Sequence, residues 1–392
     1  MSESTEIREA SLREIALVFL KLGTIAFGGP AAHLAMMEEE FVRRRWITQA
    51  EFLDRLATAN LIPGPSSTEV AIFIGQLKGG WIGLIVAGCC FIIPAAAIVS
   101  VIAWGYVRFG SLPRVEGILY AIKPAVVAIM IQALGNLART AVRTPRLAVI
   151  AAIAAGLSLV GVAPVVVLVF AGLVSAATLW MKNRLAGAIG VPRIVVSQKM
   201  VGVPNIVAGA MAVATVGVVF PVGLARLFLS FLKIGSVVFG SGYVLLAFLR
   251  TEFVEHLHWL TDKQLIDAVA VGQFTPGPVF TTATFIGYVV AGWVGAVVAT
   301  VAIFLPGFVL VAVSGPLIPR LRKSAVAAAI LDGVVAGSLA LMVVVTWQLG
   351  KASVVDRTTL IVFAVGLAAL LRFRVNSVWL IAGAALVGWA MR

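Results

Sequence analysis

The sequence predicts an all-α integral membrane protein built from two inverted-topology repeats, with broken half-helices meeting near the bilayer midplane. Three observations carry that expectation. The chain is 61% hydrophobic and only 12% charged over 392 residues, whereas a soluble domain carries about a quarter charged residues. Apolar runs such as residues 81–107 reach the roughly 20 residues needed to cross a bilayer. Finally, Phe19-Leu-Lys-Leu-Gly-Thr-Ile-Ala-Phe-Gly-Gly-Pro30 returns as Phe231-Leu-Lys-Ile-Gly-Ser-Val-Val-Phe-Gly-Ser-Gly242. A lysine inside an apolar helix is costly in lipid and marks function. Meeting it twice, at one place in a repeat, points to a site assembled from two related halves.

The remaining composition narrows the class. A net charge of +13 with a mean hydropathy of +1.07 reads as loop lysines and arginines facing a cytoplasmic leaflet, not as a nucleic-acid footprint. The first residues lack a basic n-region and a small-residue cleavage site, so no signal peptide is expected. Cys89 and Cys90 are neighbours inside an apolar run and read as small core hydrophobes, with no disulfide framework or metal site.

Along the chain, Ser11 and Glu14 have capping-box spacing and open an apolar helix that ends at Gly28-Gly29-Pro30. An amphipathic segment follows, with His33, Leu34, Met37 and Phe41 at helical spacing. Thr48 and Glu51 form a second capping box, before a helix that stops at Pro63-Gly64-Pro65; Ser66 and Glu69 form a third. Neither arm of either broken pair can span comfortably, and irregular backbone survives in a membrane only when buried or lining a cavity. Full spans are expected at 81–107 and 115–137, with a shorter pair at 147–160 and 162–181, a basic loop at 182–203 and an unpartnered span at 204–220. The pattern then restarts with the Lys233 helix, the break at Gly240-Ser241-Gly242, Thr261 with Gln264 at capping-box spacing, Pro276-Gly277-Pro278, and a span near 293–313. This divides the chain into a first repeat at 1–181, a basic loop with an inverting helix at 182–221, and a second repeat at 222–392.

The positive-inside rule orients it. An amino terminus inside puts Arg43-Arg44-Arg45, the Arg139, Arg143 and Arg146 group, the 182–203 loop and the Arg320, Arg322 and Lys323 group in the cytoplasm. Only Arg108, Arg114, Arg250, Lys263, Lys351, Arg357 and Arg392 remain outside. The odd span at 204–220 turns the second half upside down, so the carboxyl terminus is expected outside.

Inverted repeats with broken helices are a secondary-transporter architecture. Helices starting after Gly29, Pro65, Gly242 and Pro278 offer N–H groups and positive dipole ends, which attract anions. Lys21 and Lys233, two turns before their glycines, would add charge. The expected binding set is Lys21, Thr24, Gly28, Gly29, Pro63, Gly64, Pro65, Ser66 and Ser67, with Lys233, Ser236, Gly240, Ser241, Pro276, Gly277, Pro278 and Thr281 from the second half. Donor-rich and cationic, this suits a small oxyanion, although a lone lysine could snorkel to an interface and the hydroxyls could simply repair broken-helix backbone. Glu69 could be a proton-coupling carboxylate, but its capping-box position favours a capping role. His33 reads as a polar packing residue. Lys123, before Pro124, fits either a path-lining role or the end of a kinked helix. Trp46 and Trp259 read as interfacial anchors.

Phe27-Gly28-Gly29-Pro30, Trp46, Pro63-Gly64-Pro65 with Gly75, and the copies Phe239-Gly240, Trp259, Pro276-Gly277-Pro278 and Gly287 resemble the long-chain members of the chromate ion transporter family. The resemblance covers nearly the whole chain and departs from the first-half pattern at Ser241 and Gly242. It implies a two-domain inner-membrane protein of bacteria or archaea, associated with chromate efflux and resistance, with some relatives linked to sulfate transport. The residues themselves specify only a small anion. Sulfate uptake or exchange and an anion channel are the alternatives within transport. Three histidines, no HExxH and no phosphate loop leave little equipment for a membrane-embedded enzyme, so no catalytic activity, cofactor or metal is expected. Without an ATP-binding motif, the driving force would be a gradient, a potential or a counter-anion. The expected partners are a small oxyanion and the lipid bilayer, with a homodimer as the assembly considered, and no nucleic acid.

Overall fold

The computed structural model describes residues 9–27, 29–110, 112–188, 222–239, 242, 244–314, 324–373 and 375–391. The expected span at 204–220, most of the expected basic loop, and the site residues Gly28, Gly240 and Ser241 lie outside the described residues.

The described chain is helical throughout. The first half runs α1 (Leu12–Ile25), α2 (Gly29–Arg43), α3 (Gln49–Ala59), α4 (Ser66–Phe109), α5 (Pro113–Ala141), α6 (Pro145–Leu159) and α7 (Pro164–Ala188). The second runs α8 (Val222–Val237), α9 (Leu245–Leu249) continuing as a π-helical segment Arg250–His256, α10 (Asp262–Phe274), a 3₁₀ turn Val279–Thr281, α11 (Thr282–Ser314), α12 (Ala325–Ser353), α13 (Arg357–Phe373) and α14 (Ser377–Ala390). Among the described residues, five helical stretches are long and apolar enough to cross a membrane: Ser66–Phe109, Pro113–Ala141, Pro164–Met181, Val279–Ser314 and Ala325–Ser353. Their outward faces carry exposed rows such as Ile82, Ile85 and Ile93 on α4 and Val294, Val297 and Val301 on α11. Apolar side chains belong outside when the solvent is hydrocarbon.

Local sequence explains the short elements. Thr48 and Thr261 each form a complete capping box, with Glu51 and Gln264 respectively, so α3 and α10 begin where expected. α4 and α11 are each bent by a matched pair of non-helical residues, Gly79-Gly80 and Ala291-Gly292. In α4 a side chain at Gly75 would strike the Gly83 carbonyl and Ala87. In a straight helix positions eight residues apart are about 12 Å apart, so the two arms of α4 fold back on one another. α11 repeats this, Gly287 facing the Gly295 carbonyl.

Two length differences between the halves are absorbed by helix type. The chain is one residue longer from Glu252 to Trp259 than from Glu40 to Trp46, and the π-helical turn takes up the extra residue there. It is one residue shorter from Pro278 to Gly287 than from Pro65 to Gly75, and the 3₁₀ turn, which rises further per residue, makes up the distance.

The halves interlock. α4 and α11 pack together centrally, with α1 against α4 and α8 against α11. Beyond them, α5 of the first half packs against α13 and α14 of the second, while α12 of the second packs against α6 and α7 of the first. Close approach needs small residues: a methyl at Gly23 would lie 2.5 Å from the Phe91 carbonyl oxygen, and Gly235 faces the Ile303 carbonyl in the same way.

Trp46 corrects one expectation. It is fully buried and stacks on Phe41 at 5.7 Å, rather than anchoring at an interface. Trp259, half-buried, lies 6.1 Å from Phe253 in the matching place. Left-handed residues just before them, Arg45 (φ 57) and His258 (φ 53), turn each tryptophan inward. Apolar contact with a phenylalanine on the preceding helix outweighs the pull of the headgroup region.

Candidate functional site

The two Pro-Gly-Pro loops reach across the molecule. The Gly64 N–H donates to the Val238 carbonyl at 2.7 Å, and the Gly277 N–H donates to the Ala26 carbonyl at 2.9 Å. Ala26 and Val238 lie just past the ends of α1 and α8, the two lysine-bearing helices. Each loop therefore satisfies a carbonyl at a helix end in the other half, where the helix itself leaves acceptors unpaired. This reciprocal bond brings the breaks of both halves together, and no sequence spacing announces it. Gly64 has φ +137° and Gly277 φ +88°, backbone that L side chains rarely adopt.

The expected site residues divide by what they touch. Ser67 Oγ lies 3.4 Å from His33 Nδ1 in a buried contact. The other hydroxyls spend their protons locally: Thr24 on Leu20 O at 2.7 Å, Ser236 on Leu232 O at 2.7 Å and Thr281 on Pro278 O at 2.8 Å. That is the backbone-repair arrangement.

The expected capping box from Ser66 to Glu69 does not form. Pro65 occupies the cap position and offers no side-chain acceptor, and its carbonyl takes the Thr68 and Glu69 amides instead. Ser66 is already inside α4 and donates to Asn60 Oδ1 at 2.9 Å. Glu69 turns inward. It is completely buried, neither carboxyl oxygen has a hydrogen-bond partner among the described residues, and Oε1 fills the space a side chain at Gly64 would need.

Lys21 and Lys233 are each tied to a glutamate on the following segment. Lys21 Nζ lies 3.7 Å from Glu40 Oε2, and Lys233 Nζ lies 2.6 Å from Glu252 Oε2. Glu40 also binds Arg43 at 2.6 Å and Arg44 at 2.8 Å, whereas Glu252 has Ser230 at 2.8 Å. Burial disfavours the Glu40 carboxylate, but hydrogen bonds from Arg44 and Arg43 with the charges of Arg44 and Lys21 more than offset it, so it titrates below the usual range. Glu252 is likewise held low, burial being overcome by its bonds to Lys233 and Ser230 and by the charge of Lys233. A lowered carboxylate value means that both pairs stabilise the fold at neutral pH and lose that contribution as pH falls through it. Lys233→Ala is expected to cost more than Lys21→Ala, because Glu40 keeps two arginines. Expression and transport measured on Lys233→Ala and on Lys233→Ala/Glu252→Ala separate the roles. Recovery in the double variant marks a pairing lysine, while a double variant that is expressed but inactive marks a lysine the anion needs.

Unlike those pairs, whose lysines are half exposed, one ion pair between the halves is buried at both ends. Lys123 of α5 lies 3.4 Å from Asp267 Oδ1 of α10, whose other oxygen accepts from Tyr106 of α4 at 3.0 Å. Lys123 stands beside Pro124 as a visible signal, and Asp267 is the lone charge in the apolar stretch Leu265-Ile266-Asp267-Ala268-Val269-Ala270-Val271 of α10, a signal that could have marked it as buried.

The family model for chromate transporters matches residues 13–176 and again 225–389. The chain is 32% identical to the chromate transport protein of Cupriavidus metallidurans over 96% of this chain and 92% of that protein. It is 33% identical to the probable chromate transport protein of Synechococcus elongatus over 92% and 89%, and 31% identical to the chromate transport protein of Pseudomonas aeruginosa over 95% and 90%. No solved structure matches the chain. With both of its halves matched in order and the similarity running nearly end to end, the chain belongs to the chromate transporter family.

Proposed function

We propose that this transporter carries a small tetrahedral oxyanion, chromate, out across a bacterial or archaeal plasma membrane through the region where its Pro-Gly-Pro loops meet. The observation that supports the reading is the reciprocal pairing of Gly64 with Val238 and of Gly277 with Ala26. It joins both repeats at their helix breaks, where positive dipole ends favour an anion. Pro63, Gly64, Pro65 and Ser67 from one half and Pro276, Gly277 and Pro278 from the other then surround the anion, with Gly28, Gly29, Gly240 and Ser241 added by their place in the repeated motif. Lys21 and Lys233 act from their glutamate pairs as a background field. An inside-negative potential drives a dianion outward, and rocking of one half against the other breaks and remakes the two cross-half bonds.

The transport test uses purified protein in liposomes loaded with labelled chromate or sulfate, under an imposed inside-negative potential. Saturable chromate efflux faster than sulfate efflux is expected. Equal or faster sulfate movement would replace chromate by a general oxyanion exchange, and non-saturating current would make the protein a channel.

Inverted repeats, with the amino terminus inside and the carboxyl terminus outside, belong to the same proposal. Their support is the crowding of arginine and lysine at Arg43-Arg44-Arg45 and the Arg139, Arg143 and Arg146 group. Reporter fusions at the two ends are expected to report opposite sides, and a same-side result would sink the inverted arrangement.

A further inference from the structure

We propose that Glu69 is the proton-carrying group of the transport cycle, binding one proton together with the anion and releasing it to water when the loop around Gly64 opens. The inference rests on the transport reading above and goes beyond it by naming a coupled ion and the residue that holds it.

The geometry points there from three sides. Glu69 is fully buried and neither of its oxygens is hydrogen-bonded to a described residue. A carboxylate buried away from any described cation or donor is among the most costly groups a protein can hold, and taking up a proton removes that cost. Its position is equally specific. Oε1 lies against Gly64, whose N–H forms the bond to the other half, and Cγ lies 4.0 Å from where a side chain at Gly307 would begin. The carboxyl therefore sits under the loop that must move.

Charges on the surrounding elements are committed elsewhere or absent. α11 carries no ionisable residue but Tyr288. On α2, His33 is turned to Ser67, and Arg43 pairs with Glu40. On α1, Lys21 faces Glu40; on α10, Asp267 faces Lys123. On α3, Glu51 caps its own helix, and Asp54 and Arg55 are not buried. No described cation is in place to neutralise Glu69.

The chemistry follows from charge. A dianion cannot approach the Gly64 loop beside an ionised carboxylate without repulsion, whereas a protonated one presents an O–H donor. Linkage is reciprocal, so the anion favours proton uptake as much as the proton favours anion binding. One proton leaves with each dianion, the complex keeps a net negative charge, and an inside-negative potential still drives it outward.

Liposomes holding chromate and the pH dye pyranine test this. For the unmodified protein, efflux is expected to be accompanied by alkalinisation of the lumen, and to slow as pH rises from about 6 to 8, by no more than the roughly hundredfold that one titrating group allows over two pH units. Glu69→Gln, neutral at every pH, is expected to move anion more slowly, with a flat lumen trace and no pH dependence. Anion efflux by the unmodified protein with no proton movement overturns the proposal, as does a Glu69→Gln variant that keeps both proton movement and pH dependence. Should Glu69→Gln fail to fold, dicyclohexylcarbodiimide, which attacks protonated carboxyls in apolar surroundings, supplies a second measurement on the unmodified chain. An adduct mapped to Glu69 that declines as pH rises supports the assignment; labelling of other carboxyls with none at Glu69 from about pH 5 to 8 overturns it. If the unmodified protein moved no oxyanion at all, the transport reading would fail while the labelling still decided whether Glu69 is a proton site.

Discussion

Gly277→Ala is expected to abolish transport and to lower the melting temperature markedly. At φ +88° an alanine is strained, and its Cβ would lie 2.6 Å from the Ala95 Cβ and 3.3 Å from the Gly23 carbonyl oxygen. None of these neighbours is the free end of a long side chain, so the loop itself must shift and the Gly277 bond to Ala26 is the first to break. Backbone strain of this kind costs about 1–3 kcal/mol before the clash is counted. Gly64→Ala differs in an informative way. Its φ of +137° is also unfavourable, but its Cβ would meet the end of the Glu69 side chain, which can rotate aside. It should therefore lose less stability than Gly277→Ala while still losing transport. Paired efflux and thermal-melt measurements check both. Normal efflux by both variants would reduce the Pro-Gly-Pro loops to plain turns, and the proposed anion path would have to move.

Asp267→Asn and Lys123→Met are each expected to destabilise the protein by about 3–5 kcal/mol, since each leaves its partner as an uncompensated buried charge. The pair is 3.4 Å apart, and the side chains are only 1% and 8% exposed. The double variant Lys123→Met/Asp267→Leu should recover most of that loss, because an apolar pair of similar volume asks nothing of its surroundings. Tyr106→Phe should cost only about 1 kcal/mol, the usual worth of one hydrogen bond. Melting curves in detergent for the single and double variants measure the coupling. Additive losses would mean that water or lipid headgroups already screen the pair. Because Lys123 comes from the first half and Asp267 from the second, a strong coupling would identify the pair as a lock between the halves.

The sequence by itself determined the class and most of the local structure. Long apolar runs with few charges could only be membrane helices, and the two complete capping boxes at Thr48 and Thr261 start α3 and α10 through contacts within one turn. The Pro-Gly-Pro breaks were equally legible, because proline and glycine act on the backbone of their own residue, and both glycines do adopt positive φ. The repeat was visible for the same reason: it lies in the order of residues.

Tertiary structure alone decided what those elements meet. Ser66 and Glu69 have capping-box spacing, yet Pro65 takes the cap position and Glu69 turns to fill the space beside Gly64. Lys21 and Lys233 look like free charges along the chain, but each finds a glutamate that comes near only when the next helix folds back. Trp46 looks like a membrane-surface residue until Phe41 stacks on it. Above all, the bonds from Gly64 to Val238 and from Gly277 to Ala26 join residues far apart in the chain. Capping and turn signals are local, so a sequence displays them directly. Neutralisation, burial and cross-half bonding depend on which surfaces come together, and that is set only when the interlocked helices of both halves pack.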